Sequence, residues 1–224
     1  VITTTPWSIT PSLFETCVSE IKLIDHKLTI NEPTGDFFYD PWSVKPEFKN
    51  TSFTQILETL PFSIGEARLI SLIPGTCYQV HADIDDRYHL NLTNGEDAYL
   101  IDLENYVMHQ LTDSCVWHYM DAGRKHSAVN FGKMPRVQLV VRQLLSHNTL
   151  VQPVTVKIVV ASGYTSHLRF IFDSTISCWL NRANKQSVID NFKTDGVTAT
   201  FDIDAQSLDS LKKILPSEFT VEIL

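Results

Sequence analysis

No stretch of this 224-residue chain stays apolar for the roughly 20 residues that a bilayer-crossing helix needs, so no membrane role is expected. Basic residues are also in short supply. Lys and Arg number 18 against 26 Asp and Glu, a formal charge of −8. Nonspecific nucleic-acid binding depends on neutralising phosphates, and this balance argues against it. Cysteine is sparse and scattered: Cys17, Cys77, Cys115 and Cys178 include no C-x-x-C pair. That spacing is poor for a zinc site and for a disulfide framework, which leaves reduced, mostly buried thiols. The opening VITTTPWSIT lacks the charged and apolar blocks of a secretory signal, so the expected location is cytoplasmic. Internal repeats and low-complexity tracts are missing too.

What is there suffices for one large domain, or for one with a small appendage. After an N-terminal arm, PSLFETCVSEIKLI has helical spacing, with Leu13, Cys17, Ile21 and Ile24 near one face and Ser12 as a cap. NEPTGDFFYDPWSVKPEF is rich in Pro, Gly, Asp and aromatics and predicts an ordered loop. Its Phe37, Phe38, Tyr39 and Trp42 either roof a cleft or pack the loop onto the core. TSFTQILETL predicts a second helix.

From Ala67 the pattern changes. ARLISLI, YQVHAD, YHLNL, AYLIDL, YVMHQL, SAVNF and VQLVVRQLL are short alternating or β-branched runs separated by turn residues. They predict a mainly β protein, an antiparallel barrel or double sheet with a jelly roll among the options, and helices outside one sheet. Past Val151 a β-α-β-α-β order follows: VQPVTVKIVVAS, SHLRFIFDSTISCWLNRAN, GVTATFDID, SLDSLKKIL and FTVEIL. The expected division is a β domain with its N-terminal helices over 1–150 and a small α+β appendage over 151–224. Nothing in that appendage has catalytic spacing, so dimerisation or protein contact is its default role.

Chemistry concentrates between Pro74 and Arg142. His81-x-Asp83 is followed by His126, and Arg136 lies ten residues further on. Two imidazoles and a carboxylate can hold one face of a divalent iron and leave other positions open. The His-x-Asp pair alone says little, because this composition yields about one His-x-Asp/Glu by chance. Its setting says more. On a strand, side chains at i and i+2 share a face, so His81 and Asp83 can converge, and His126 can arrive from a neighbouring strand. The bland alternative is a set of semi-buried histidines held by hydrogen bonds. Arg136 opens an apolar strand and needs a carboxylate if it points inward, which a dicarboxylate could supply to its planar fork. Pointing outward, it is a surface arginine. Arg87 and His89 either bind the far carboxylate of such a ligand or pair with Asp85, Asp86 or Asp102. Tyr78, Tyr106, Trp117 and Phe131 either shape the pocket or belong to the core.

These residues together resemble the aspartyl/asparaginyl β-hydroxylase family, which includes free-proline cis-hydroxylases. The likeness rests on Pro74-Gly75-Thr76 seven residues before His81, and on Arg87-Tyr88-His89-Leu90-Asn91-Leu92 after it. It rests also on Tyr119-Met120-Asp121 before His126 and on the spacing from His126 to Arg136. It covers about the central third of the chain. The resemblance implies a double-stranded β-helix (jelly roll, cupin-like) binding Fe(II) through His81, Asp83 and His126. It implies 2-oxoglutarate held by Arg136, with Arg87 and His89 near its other end and O2 as co-substrate. The implied activity is a dioxygenase hydroxylating an amino acid, an amino-acid-like small molecule or a peptide residue. The family's animal peptide-hydroxylating branch lacks the carboxylate ligand, so Asp83 leans toward the free amino-acid branch or a bacterial or viral relative. Two other readings stay open: a cupin-like hydrolase or isomerase that uses no 2-oxoglutarate, and a noncatalytic binding module.

Overall fold

A computed structural model describes residues 2–21, 28–93, 95–160, 166–195 and 198–224. In chain order, strand β1 (Ile2–Ser8) leads into helix α1 (Pro11–Glu20). Next come β2 (Leu28–Thr29), the hairpin of β3 (Asn31–Pro33) and β4 (Trp42–Val44), and α2 (Ser52–Leu57). Eight strands follow: β5 (Ile64–Leu72), β6 (Thr76–Cys77), β7 (Arg87–Asn91), β8 (Ala98–Asp102), β9 (Val107–His109), β10 (Val116–Met120), β11 (His126–Asn130) and β12 (Arg136–Gln143). The last part holds β13 (Pro153–Val160), α3 (Ser166–Ile171), a π-helical turn (Phe172–Ile176), α4 (Ser177–Lys185), β14 (Ile189–Thr194), β15 (Ala199–Asp204), α5 (Leu208–Ile214) and β16 (Phe219–Ile223). The protein is mainly β, with several antiparallel sheets and a few helices. No described helix is long and apolar enough to cross a membrane.

A six-stranded sheet runs β1-β10-β7-β12-β5-β2, and a four-stranded sheet runs β6-β11-β8-β9. Period-two alternation sorts the side chains of the larger sheet. Ala67, Leu69, Tyr88, Leu90, Val137, Leu139 and Val141 face a core that also takes Cys17 from α1 and Phe53, Ile56 and Leu57 from α2. The intervening residues Arg68, Ile70, Arg87, His89, Arg136, Gln138 and Val140 line a cavity on the other face. There Leu72 and Met120 pack with Leu100 and Ala128 of the smaller sheet, so the two sheets lie against each other.

A third sheet runs β14-β15-β13-β16 and carries α3, α4 and α5. Its order is β-α-β-β-α-β, a split βαβ arrangement, and so has one strand more than expected. The extra strand β14 reads IDNFKT, whose charged residues and left-handed Asn191 (φ 51°) break the alternation at a register shift. Its core includes Phe38, Ile84 and Leu145 from outside the sheet, so it is fastened to the loops of the β region.

Several local expectations change. YQVHAD is not a strand; only His81 pairs there, through a lone antiparallel bridge to His126. The cap of α1 is Thr10, whose Oγ1 accepts the Leu13 N–H at 3.2 Å with Pro11 behind it, rather than Ser12. Ile24 lies outside the described residues. The N-terminal arm is a strand paired with β10, its Pro6 tolerated because β1 is at the sheet edge. Of the cysteines, Cys17 and Cys178 are buried, Cys115 is half-buried and Cys77 is exposed; all four are unpaired. Trp117 is core, Tyr78 lines the cavity, and Tyr106 and Phe131 are exposed.

Candidate metal centre

His81, Asp83 and His126 meet. Asp83 Oδ2 is 4.0 Å from His81 Nε2 and 3.7 Å from His126 Nε2, and the imidazole centroids are 4.3 Å apart. One donor atom from each residue falls within 4.8 Å of the others. Reciprocal backbone bonds fix the two histidines, His81 N–H to His126 O (3.1 Å) and His126 N–H to His81 O (2.8 Å). Asp83 is pinned by its own N–H, which donates to Ala122 O at 2.7 Å. Convergence thus comes from a bridge and a loop rather than from a shared strand face.

Both rings are oriented alike. His81 Nδ1 lies 2.8 Å from Gln79 O, and His126 Nδ1 lies 2.8 Å from Arg124 O. A carbonyl only accepts, so each ring donates Nδ1–H and turns Nε2 toward Asp83. Burial pushes the His126 pKa down, with Asp83 partly offsetting it, which keeps the ring neutral as a ligand must be. Burial opposes charge on Asp83 as well. The Arg87 guanidinium beside it, their hydrogen bonds and the two imidazoles outweigh that burial and hold the carboxyl well below the usual carboxylate range. Two imidazole nitrogens and a carboxylate are a fitting donor set for a divalent transition metal.

Arg87 is committed to carboxylates. Its Nε and Nη2 meet Asp83 at 3.1 and 3.0 Å, and Nη2 lies 3.0 Å from Asp85 Oδ1. Asp85 is gripped in turn by Arg142, over which the rings of Phe37 and Phe38 lie at 4.1 and 4.9 Å. Of the three pairings open to Arg87, the structure forms the one with Asp85, and adds Asp83. Asp86 goes instead to Tyr119 and Lys185, and Asp102 caps its own turn through Glu104 and Asn105.

Arg136 points inward. It is 4 % exposed, and among the described residues it has no carboxylate or hydrogen-bond partner. Burial pulls its pKa down to about 10, with Tyr78 opposing. His89 sits on the same wall, its pKa pushed down to about 3 by burial, partly offset by Gln138 and helped by Arg136. Its Nδ1 lies 3.2 Å from Gln138 Oε1, while His89 Nε2 and Gln138 Nε2 have no partner. Turning the Gln138 amide over would let its NH2 donate to Nδ1 and make His89 Nε2–H a donor into the cavity, the state an anion there would select. No protein-family model and no curated protein matches this chain.

Two openings meet at the triad. The inner cavity lies between the sheets and joins His81, Asp83 and His126 to Tyr78, His89, Ser127, Arg136 and Gln138. The outer cleft, about 440 Å³, shares His81, Asp83, Arg68 and Arg87 with it. Its far walls are Phe37 and Phe38 from the loop of the β3–β4 hairpin and Arg169, Phe172 and Asp173 from the third sheet's helices. The aromatics at 36–42 therefore do both jobs: Phe38 is buried core, and Phe37 lines the cleft.

Proposed function

We propose that this chain is an Fe(II)- and 2-oxoglutarate-dependent dioxygenase of the aspartyl/asparaginyl β-hydroxylase-like kind. In this reading the two packed sheets are the layers of a double-stranded β-helix within 1–150, and 151–224 is an α+β appendage. One observation carries the reading: a buried guanidinium without a partner, Arg136, shares a small inner cavity with two imidazoles and a carboxylate that converge. A buried lone cation is costly, and a dicarboxylate ligand bound beside the metal is what would offset it. A hydrolase or isomerase using the same three ligands gives Arg136 a counter-ion only where its own substrate is an anion.

His81, Asp83 and His126 would hold the metal, and Arg136 would grip one carboxylate of 2-oxoglutarate. His89 Nε2 and Arg87 Nη1, both buried and unpartnered, are among the polar atoms left for its other end. When bound, the metal activates O2 and the keto acid, by oxidative decarboxylation, supplies the electrons that let one oxygen atom enter a C–H bond. The chain's part is positional. The inner cavity is small, about 60 Å³, against about 440 Å³ for the outer cleft, so in this reading the C–H compound reaches the triad through the outer cleft. A volume of that size suits a small molecule such as a free amino acid, or one residue of a peptide.

The test is a pair of binding measurements followed by turnover. The wild-type protein should bind one Fe(II) or Mn(II) and, with metal present, 2-oxoglutarate, and should release succinate. Arg136→Ala should keep the metal and lose the keto acid. Metal binding without any 2-oxoglutarate binding would point to the other metalloenzyme class, and absence of both would leave a binding module.

A further inference from the structure

Two chain segments carry the imidazoles, 81–86 and 121–126, and one helix touches both. Asn181 and Lys185 stand a turn apart on α4 and so share a face. Asn181 is 1 % exposed and donates Nδ2–H to Ile84 O at 2.9 Å. Its carboxamide also lies against Gly123, where an added Cβ would come within 2.2 Å of it. Lys185 Nζ donates at 2.8 Å to Asp86 Oδ1 and at 2.8 Å to Asp121 Oδ1. Asp86 also accepts from Tyr119 Oη (2.8 Å), and Asp121 from Arg124 Nε (3.1 Å). The preceding π-helical turn adds a backbone tie, Ala82 N–H to Asp173 O at 2.6 Å.

We infer that α4 is a clasp for the metal centre, with Lys185 and Asn181 as positioning residues that set the spacing of the His81–Asp83 and His126 segments. The inference rests on the triad being a metal site. Its physics is simple. Asp86 and Asp121 belong to opposite ligand segments and carry like charge, so one shared ammonium draws together two strips of backbone that would otherwise repel. Asn181 does the same from inside, bonding one segment and filling the space that Gly123 leaves in the other. The appendage is thus a working part of the centre rather than a separate docking module. Groups of this kind act through the ligands they orient, and their loss costs metal affinity about 10- to 100-fold.

The experiment titrates the apoprotein with Mn(II) and follows free Mn(II) by electron paramagnetic resonance. Lys185→Met and Asn181→Ala, each shown to be folded by near-ultraviolet circular dichroism, should bind at least about tenfold more weakly. Lys185→Arg should recover most of the loss, because a guanidinium can span the same two carboxylates. Folded variants that bind as tightly as wild type, even with a lowered unfolding midpoint, would show a merely structural contact and overturn the clasp alone. Failure of the wild-type protein to bind Mn(II) would overturn the metal reading itself. Should Lys185→Met not fold, Lys185→Gln and Asn181→Ala carry the same test.

Discussion

Arg87 meets Asp83 side-on, with Nε 3.1 Å from Oδ2 and Nη2 3.0 Å from Oδ1, so its planar fork holds the carboxylate that both imidazoles face. The same Nη2 touches Asp85, and Arg142 closes the line on Asp85's other oxygen. Four alternating charges thus run under the candidate metal centre. Removing one member of such a buried set leaves its partners uncompensated. Arg87→Met should therefore cost about 3–5 kcal/mol, read as a lower urea midpoint at unchanged slope. A residue that served only to bind the keto acid would leave the midpoint of the ligand-free protein almost where it was.

Arg136 should behave in the opposite way. Its guanidinium is buried without a partner among the described residues, so the ligand-free fold carries the cost of that charge. Arg136→Met keeps much of the volume and removes the charge. It should raise the stability of the ligand-free protein by on the order of 1–4 kcal/mol while abolishing 2-oxoglutarate binding. Unfolding midpoints with and without the keto acid check both halves. A destabilised variant would mean that Arg136 has a structural partner.

Much of this was legible in the residues, and the limits have physical causes. The strands of the site, β5, β7, β8, β11 and β12, follow alternating or β-branched runs: β5, β7 and β12 put one face on the core and one on the cavity, while β8 and β11 turn Leu100, His126 and Ala128 toward that cavity. The triad was readable as a constellation, although its geometry is a loop and a bridge rather than a strand face. β1 was invisible as a strand, since ITTTPWS is an edge whose pattern is mostly polar. The pairing of Arg87 with Asp83 over a pairing with Asp86 could not be chosen from spacing, since several carboxylates lie within a few residues. Asn181 and Lys185 gave no signal at all. Their partners lie about a hundred positions earlier or in a turn some sixty residues back, contacts that only the packed third sheet creates.

Acid should weaken the fold earlier than carboxylates alone would dictate. His89 is held from 6.5 down to about 3, chiefly by burial, so between those values the unfolded chain binds a proton that the native protein refuses. Stability then falls as pH drops through that window, and the buried His126 acts in the same direction. Asp83 joins lower down, because its native carboxyl titrates well below its ordinary 3.8 and the unfolded one protonates first. Urea midpoints measured from about pH 7 to 4.5 should decline, and His89→Gln should flatten the decline. An unchanged slope in that variant would show that His89 is not the group responsible.

Loss of metal and loss of charge balance can be separated at the triad itself. Asp83→Ala removes a candidate ligand and also strips Arg87 of its main partner, whereas His126→Ala removes a candidate ligand without leaving a buried ion unpaired. Both should lose the stabilisation that Mn(II) gives the wild-type protein, which at a hundred times the dissociation constant is about 2.7 kcal/mol. Only Asp83→Ala should also lower the metal-free midpoint steeply, by about 3 kcal/mol or more. Asp83→Ala together with Arg87→Met should regain part of that loss, since the double change removes both charges of the pair, while metal binding stays absent. Thermal melts of the four proteins with and without Mn(II) decide it. A metal-induced shift that survives in both single variants would place the ion somewhere other than between His81, Asp83 and His126.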